Sequence, residues 1–199
     1  MNMDFAVTSM NVWKEVRASL QHELSQGEVL LLINNAEFVD LLDVLNLIEA
    51  KRMLYVSMTK TAASVVAGLK KSKAQPLFID CVSPSIFAKQ APMDCRYARM
   101  PQDFDHLYEL MAGLVQEVLP HIVVVDSISQ LIDFSVQQYD RSQLEQFVRQ
   151  LKRCHRRYGA RFILLYDDRV KRKLINLPGL YVDSILKLEV FEELVSWVG

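Results

Sequence analysis

The chain has 199 residues, with 23 Lys and Arg against 24 Asp and Glu and a formal net charge of −1. Hydrophobic residues make up 51% and charged residues 24%, which excludes intrinsic disorder and fits one globular domain with a core of ordinary size. No apolar run approaches the roughly 18–20 residues that cross a bilayer, and the start MNMDFAVTSM lacks the basic and apolar parts of a signal peptide. Three cysteines, Cys81, Cys95 and Cys154, are widely spaced and form no CxxC, and the four His are unclustered. The expectation is a cytoplasmic protein with reduced thiols, no metal, no cofactor and no membrane contact.

Two patterns alternate along the chain. Val12, Val16 and Leu20 form a helical stripe, with Trp13 beside it, before the first strand. Short, nearly continuous apolar runs at 28–34, 53–58, 76–82, 121–126 and 161–166 read as strands buried on both faces, as in a parallel sheet covered by helices. Phe38, Leu41, Leu42, Leu45 and Ile48 mark a helix after the first run. Ala62, Val65, Val66 and Leu69 mark one after the second, closed by the basic Lys70, Lys71 and Lys73. Phe104, Leu107, Tyr108, Met111 and Val115 give a helix that starts at Pro101-Gln102-Asp103. Leu144, Phe147, Val148 and Leu151 give another, ended by Gly159, and a last apolar piece covers 180–190. This alternation predicts right-handed crossovers and an α/β fold, either doubly wound or a RecA-like three-layer sandwich with a mostly parallel sheet. It spans 1–199 as a single domain, with 1–27 as an N-terminal helical extension.

Ligands on such sheets sit outside the carboxyl ends of the strands. A phosphate-binding loop needs glycines, so that backbone N–H groups can surround an oxyanion, then a Lys and a Ser or Thr. The first strand runs instead into Asn34, Asn35, Ala36, Glu37, Phe38, Val39 and Asp40, with no glycine or Lys and with two carboxylates. Asn34 or Asn35 reads as a helix cap. The fourth strand, HIVVVDSIS, ends in Asp126 and Ser127, the shape of a Walker B strand that holds a carboxylate for Mg²⁺. Buried strands also end in Asp simply to cap the next turn, and without a first-strand loop that reading leads.

The succession LYVS, FIDCVS, VVVDSIS and RFILLY resembles the RecA/KaiC-like P-loop ATPases over roughly 28–188, in particular their small archaeal-type relatives that lack the nucleotide loop. Intact members carry a glycine-rich loop after the first strand, where this chain has 34–40. KaiC-like members place a catalytic carboxylate after the second strand, where this chain has Thr59 and Lys60. Of the family's ATPase residues, only the Walker B vestige Asp126, with Ser127 behind it, carries over. The resemblance therefore implies a pseudo-ATPase, not an enzyme, that keeps the sandwich and acts as an interaction or regulatory module. Its partner would be a second copy, an active ATPase or a signalling protein. The alternatives are an atypical nucleotide-binding ATPase using Asn34, Asn35 and Asp126, or a nucleic-acid binder.

Charge is uneven. Residues 149–173 hold ten Lys and Arg against Asp167 and Asp168, a surplus of eight, so the rest of the chain carries −9. Arg153, Arg156, Arg157, Lys171, Arg172 and Lys173 form the candidate patch for an acidic partner or a nucleic-acid backbone. The plainer reading is a solvated helix face with cations near its carboxyl end. No nucleophile–base pair is assigned: Ser57, Ser83, Ser127 and Ser129 lie outside any GxSxG elbow, and His22, His106, His121 and His155 sit on polar faces or ahead of strands. Cys81 beside Asp80 reads as a buried inert thiol, and Asp80 with Asp126 is too little for a metal site. Phe191, Leu194, Val195, Trp197 and Val198 in the final stretch need an apolar surface, on their own sheet or on another subunit.

Overall fold

The computed structural model describes residues 4–34, 41–69, 75–86, 94–133, 141–167 and 181–188. The elements are, in chain order, α1 (Asp4–Gln26), β1 (Val29–Asn34), α2 (Leu41–Leu45), β2 (Arg52–Ser57), α3 (Ala62–Gly68), β3 (Gln75–Asp80), α4 (Ser83–Ile86), β4 (Cys95–Tyr97), α5 (Phe104–Val118), β5 (Ile122–Asp126), α6 (Ser129–Asp133), α7 (Arg141–Tyr158), β6 (Arg161–Asp167) and β7 (Ser184–Leu188). All seven strands pair in parallel in one sheet, in the order β4-β3-β2-β5-β6-β1-β7.

Alternate strand residues enter opposite layers because successive side chains point to opposite faces of a sheet. Val29, Leu31 and Ile33 pack under Leu107, Met111, Phe147 and Leu151 of α5 and α7. Leu30 and Leu32 pack with Leu20 of α1, Leu45 of α2 and Val65 of α3. The result is a three-layer α/β sandwich. From β1 the chain moves outward to β2 and β3 through α2 and α3 on one face. It returns through α5 and α7 on the other, and β5 and β6 fill the gap between β2 and β1. One face for each direction of travel is what a single crossover hand requires.

The ends of the helices follow their local sequence. Asp103 caps α5 by accepting from the His106 N–H at 2.8 Å, and Thr61 caps α3 by accepting from the Ser64 N–H at 3.2 Å. Gly159 ends α7 with a φ of 76°, a conformation open to glycine at little cost.

Several expectations change in detail. The sheet is wholly parallel, and it has seven strands rather than five and an unassigned piece. The piece at 180–190 contains β7, which pairs with β1, and the added strand β4 is only three residues long. Val66 is 41% exposed, because the two-turn α3 turns only Ala62 and Val65 inward. Leu20 of α1 is fully buried, so the predicted N-terminal extension packs as part of the sandwich. The stretches 35–40, 70–74, 168–180 and 189–199, which include Asn35, Phe38, Lys171, Arg172 and Lys173, lie outside the described residues.

Candidate functional site

The strand register sets Ser57 at the end of β2 between Asp80 on β3 and Asp126 on β5. The two carboxylates thus flank one serine at the carboxyl rim, and both are turned into the protein. Asp80 is fully buried. Its Oδ1 accepts from the N–H groups of Val82 and Ser83, both at 2.8 Å. Its Oδ2 accepts from the Ala62 N–H at 2.7 Å and the Ser83 hydroxyl at 2.6 Å. Burial opposes ionisation here. The bonds from Ala62, Ser83 and Val82 outweigh it and hold the carboxyl below the usual Asp value. Asp80 therefore ties the first residue of α3 to the start of α4.

Asp126 is 4% exposed. Its Oδ2 accepts from the Tyr55 hydroxyl at 2.5 Å and its Oδ1 from the Thr59 hydroxyl at 3.0 Å. Ser127, joined to Asp126 by a cis peptide bond, donates to the Leu165 carbonyl at 2.8 Å and lies 2.7 Å from the Ser129 hydroxyl. Ser129 in turn accepts from the Asp167 N–H at 2.8 Å. Asp126 and Ser127 thus spend their polar atoms on joining β5 to β2 and β6. Ser57 closes the turn after β2 by donating to the Lys60 carbonyl at 2.5 Å. Asn34, at the end of β1, is fully buried. Among the described residues, no group of three or more His, Cys, Asp or Glu is placed to hold a metal ion.

Tyr55 is the residue that a reading of the sequence passed over, and Thr59 stood there only in the place of a carboxylate, not as a partner of Asp126. Tyr55 reads as one more core aromatic in an apolar strand. The signal for it was available, since a buried tyrosine hydroxyl needs a partner. Cys81, next to Asp80, has its thiol pushed up to about 12 by burial and then by the Asp80 charge, which matches its reading as inert.

The cations of α7 divide between its two sides. On the side toward β7, the Arg149 guanidinium lies 4.7 Å from the centre of the Tyr181 ring. Lys152 bonds Asp183 at 2.5 Å, and Arg156 approaches Glu28 at 3.8 Å. Asp183 also accepts from the N–H groups of Glu28 and Val29, at 2.8 and 2.9 Å, so it fastens α7 to the start of β1. A groove of about 650 Å³ follows this row, lined by Glu145, Arg149, Lys152, Arg153 and Arg156 among others. Toward α5, Arg153 and Arg157 border a second groove of about 460 Å³. Of the six candidate patch residues, Arg153, Arg156 and Arg157 are exposed on one face of α7, at i, i+3 and i+4, with Arg153 bordering both grooves.

No protein-family profile matches the chain, and no curated protein matches it either.

Proposed function

We propose that this chain is a non-catalytic RecA/KaiC-like domain that works as an interaction or regulatory module. The observation that carries this reading is the placement of Asp126 and Ser127. These are the residues the resemblance would carry into ATP chemistry, and they face the interior, engaged by Tyr55, Thr59, Leu165 and Ser129. A carboxylate that orients Mg²⁺ has to present a lone pair to the metal or to its water. Here each oxygen accepts a hydroxyl hydrogen and the residue is only 4% exposed, so little of the carboxylate is open to a metal or its water. What supports an interaction role is the surface of α7, with cations set along two grooves. Three of those cations are already held by Tyr181, Asp183 and Glu28, which favours a shaped protein contact over a free polyanion footprint.

The test is calorimetric titration with ATP and ADP, with and without Mg²⁺, alongside a phosphate-release assay. The expected result is no binding heat and no turnover. Turnover that disappears in Asp126→Asn, with the fold intact by circular dichroism, would overturn the reading.

A further inference from the structure

Helix α5 carries a glycine that the described residues do not explain. Gly113 lies mid-helix, and a Cβ built on it would meet none of the described residues within 4 Å. Neither close packing nor an unusual backbone requires glycine there, yet it costs roughly 1 kcal/mol relative to alanine. With Ala112 beside it, Gly113 widens the seam between α5 and α7 into the groove of about 460 Å³. Tyr108, Tyr158 and the buried Cys154 line it together with Arg153 and Arg157, and the Arg157 guanidinium lies 5.3 Å from the centre of the Tyr158 ring. No carboxylate is among the described residues lining it. The shape admits a helix backbone at close range between two helices, and the charge calls for acidic residues along that helix.

The chain contains such a stretch. In residues 189–199, Phe191, Leu194, Val195 and Val198 recur at helical spacing, and Glu189, Glu192 and Glu193 lie beside them. This stretch follows β7, which lies on the side of α7 opposite α5, because Tyr181 and Asp183 at its start hold Arg149 and Lys152. As a helix, eleven residues span about 16 Å and α7 with its side chains is about 10 Å across. Leu188 pairs with Asn34 at the carboxyl rim of the sheet. The seam runs instead beside the last turns of α7, which lead into the opposite end of β6. A helix of that length starting after Leu188 would not reach the seam of its own chain.

We propose that the seam between α5 and α7 is a docking groove for a second copy of this chain, which inserts its acidic amphipathic residues 189–199. Gly113 gives the close approach, Arg153 and Arg157 face the glutamates, and the apolar stripe covers Cys154 and the two tyrosines. The inference rests on the interaction-module reading and names its partner.

Sedimentation velocity of the full chain, from 1 to 100 μM at low and high salt, tests it. The expected result is a mass above that of one chain, which falls as salt rises. Gly113→Phe, which fills the groove from an open position, and the pair Arg153→Glu with Arg157→Glu should each return the single-chain mass with the far-UV circular dichroism of the native chain unchanged. Adding Glu192→Arg and Glu193→Arg to the arginine pair should restore association. A single-chain mass at every concentration would overturn the proposal. So would association indifferent to both the filled groove and the charge exchange. Either failure leaves the non-catalytic reading standing, because that reading falls only to ATP turnover dependent on Asp126.

Discussion

The Tyr55 hydroxyl donates to the Asp126 carboxylate at 2.5 Å, joining a residue inside β2 to the last residue of β5. Both groups are buried, so neither can turn to water if the other is lost. Tyr55→Phe and Asp126→Ala are each expected to lower unfolding stability by about 1–3 kcal/mol. The double variant should lose less than the sum, because the two substitutions remove the same bond. Urea denaturation of the four proteins measures this. Strict additivity would mean that the two residues act independently.

Asp80 and Asp183 make the fold sensitive to acid. Burial raises the pKa of each. For Asp80, the bonds from Ala62, Ser83 and Val82 outweigh burial; for Asp183, those from Lys152, Val29 and Glu28 do, and both carboxyls end below the ordinary value. A group with a depressed folded-state pKa adds stability that is fully present above its unfolded value, near 3.8. That stability is lost as pH falls through the folded value. The urea midpoint should therefore hold from pH 7 to about 5 and fall steeply below about 4. Asp80→Asn should begin lower, by roughly 2 kcal/mol for the charge-assisted bonds it gives up, and should show a shallower acid limb. An acid limb unchanged in Asp80→Asn would remove Asp80 from the account.

The sandwich was legible because its strands are long, apolar and buried on both faces, and because α5 and α7 keep helical spacing over several turns. Phe104, Leu107, Met111, Leu144, Phe147 and Leu151, read as core from spacing alone, are all fully or nearly fully buried. Strand β4 was not legible: Cys95–Tyr97 is too short to show a period, and what makes it a strand is its pairing with β3, a long-range contact. The rim was half legible. The strand ends marked out Asp80, Asp126 and Ser127, but whether those groups face a ligand or the interior depends on Tyr55 and Thr59, which sequence distance separates from Asp126. The charge surplus of 149–173 was visible as a number. Its partial cancellation by Glu28 and Asp183 was not, because those carboxylates stand just ahead of strands distant in sequence, β1 and β7.

The cysteines should be silent in the native protein. Burial, then the Asp80 charge, pushes the Cys81 thiol up to about 12 and the Cys95 thiol up to about 11, and burial raises Cys154. At pH 8 the thiolate fraction of Cys81 and Cys95 is then on the order of one in a thousand or less. A chromogenic disulfide reagent should find no fast thiol in the native chain and all three after unfolding. Rapid stoichiometric labelling of native Cys81 would show that its site opens to solvent.

Helix α5 carries two residues whose exchange should strengthen the isolated chain. Leu119 caps it in the left-handed region, with φ 48° and ψ 60°, where a side chain costs roughly 1–2 kcal/mol. It is also 45% exposed, so its burial returns little. Leu119→Gly and Gly113→Ala are each expected to raise stability by about 0.5–1 kcal/mol, the first by relieving the backbone and the second by helix propensity. Gly68 in α3 gives the contrast: a Cβ there would stand 2.4 Å from Cδ1 and 3.3 Å from Cβ of Leu42, so Gly68→Ala should destabilise by pressing α3 against α2. Thermal melts of the three variants separate the effects. A lower melting temperature for Gly113→Ala would mean that something in the single chain already occupies the space beside Gly113, and the seam would then be closed to a second copy.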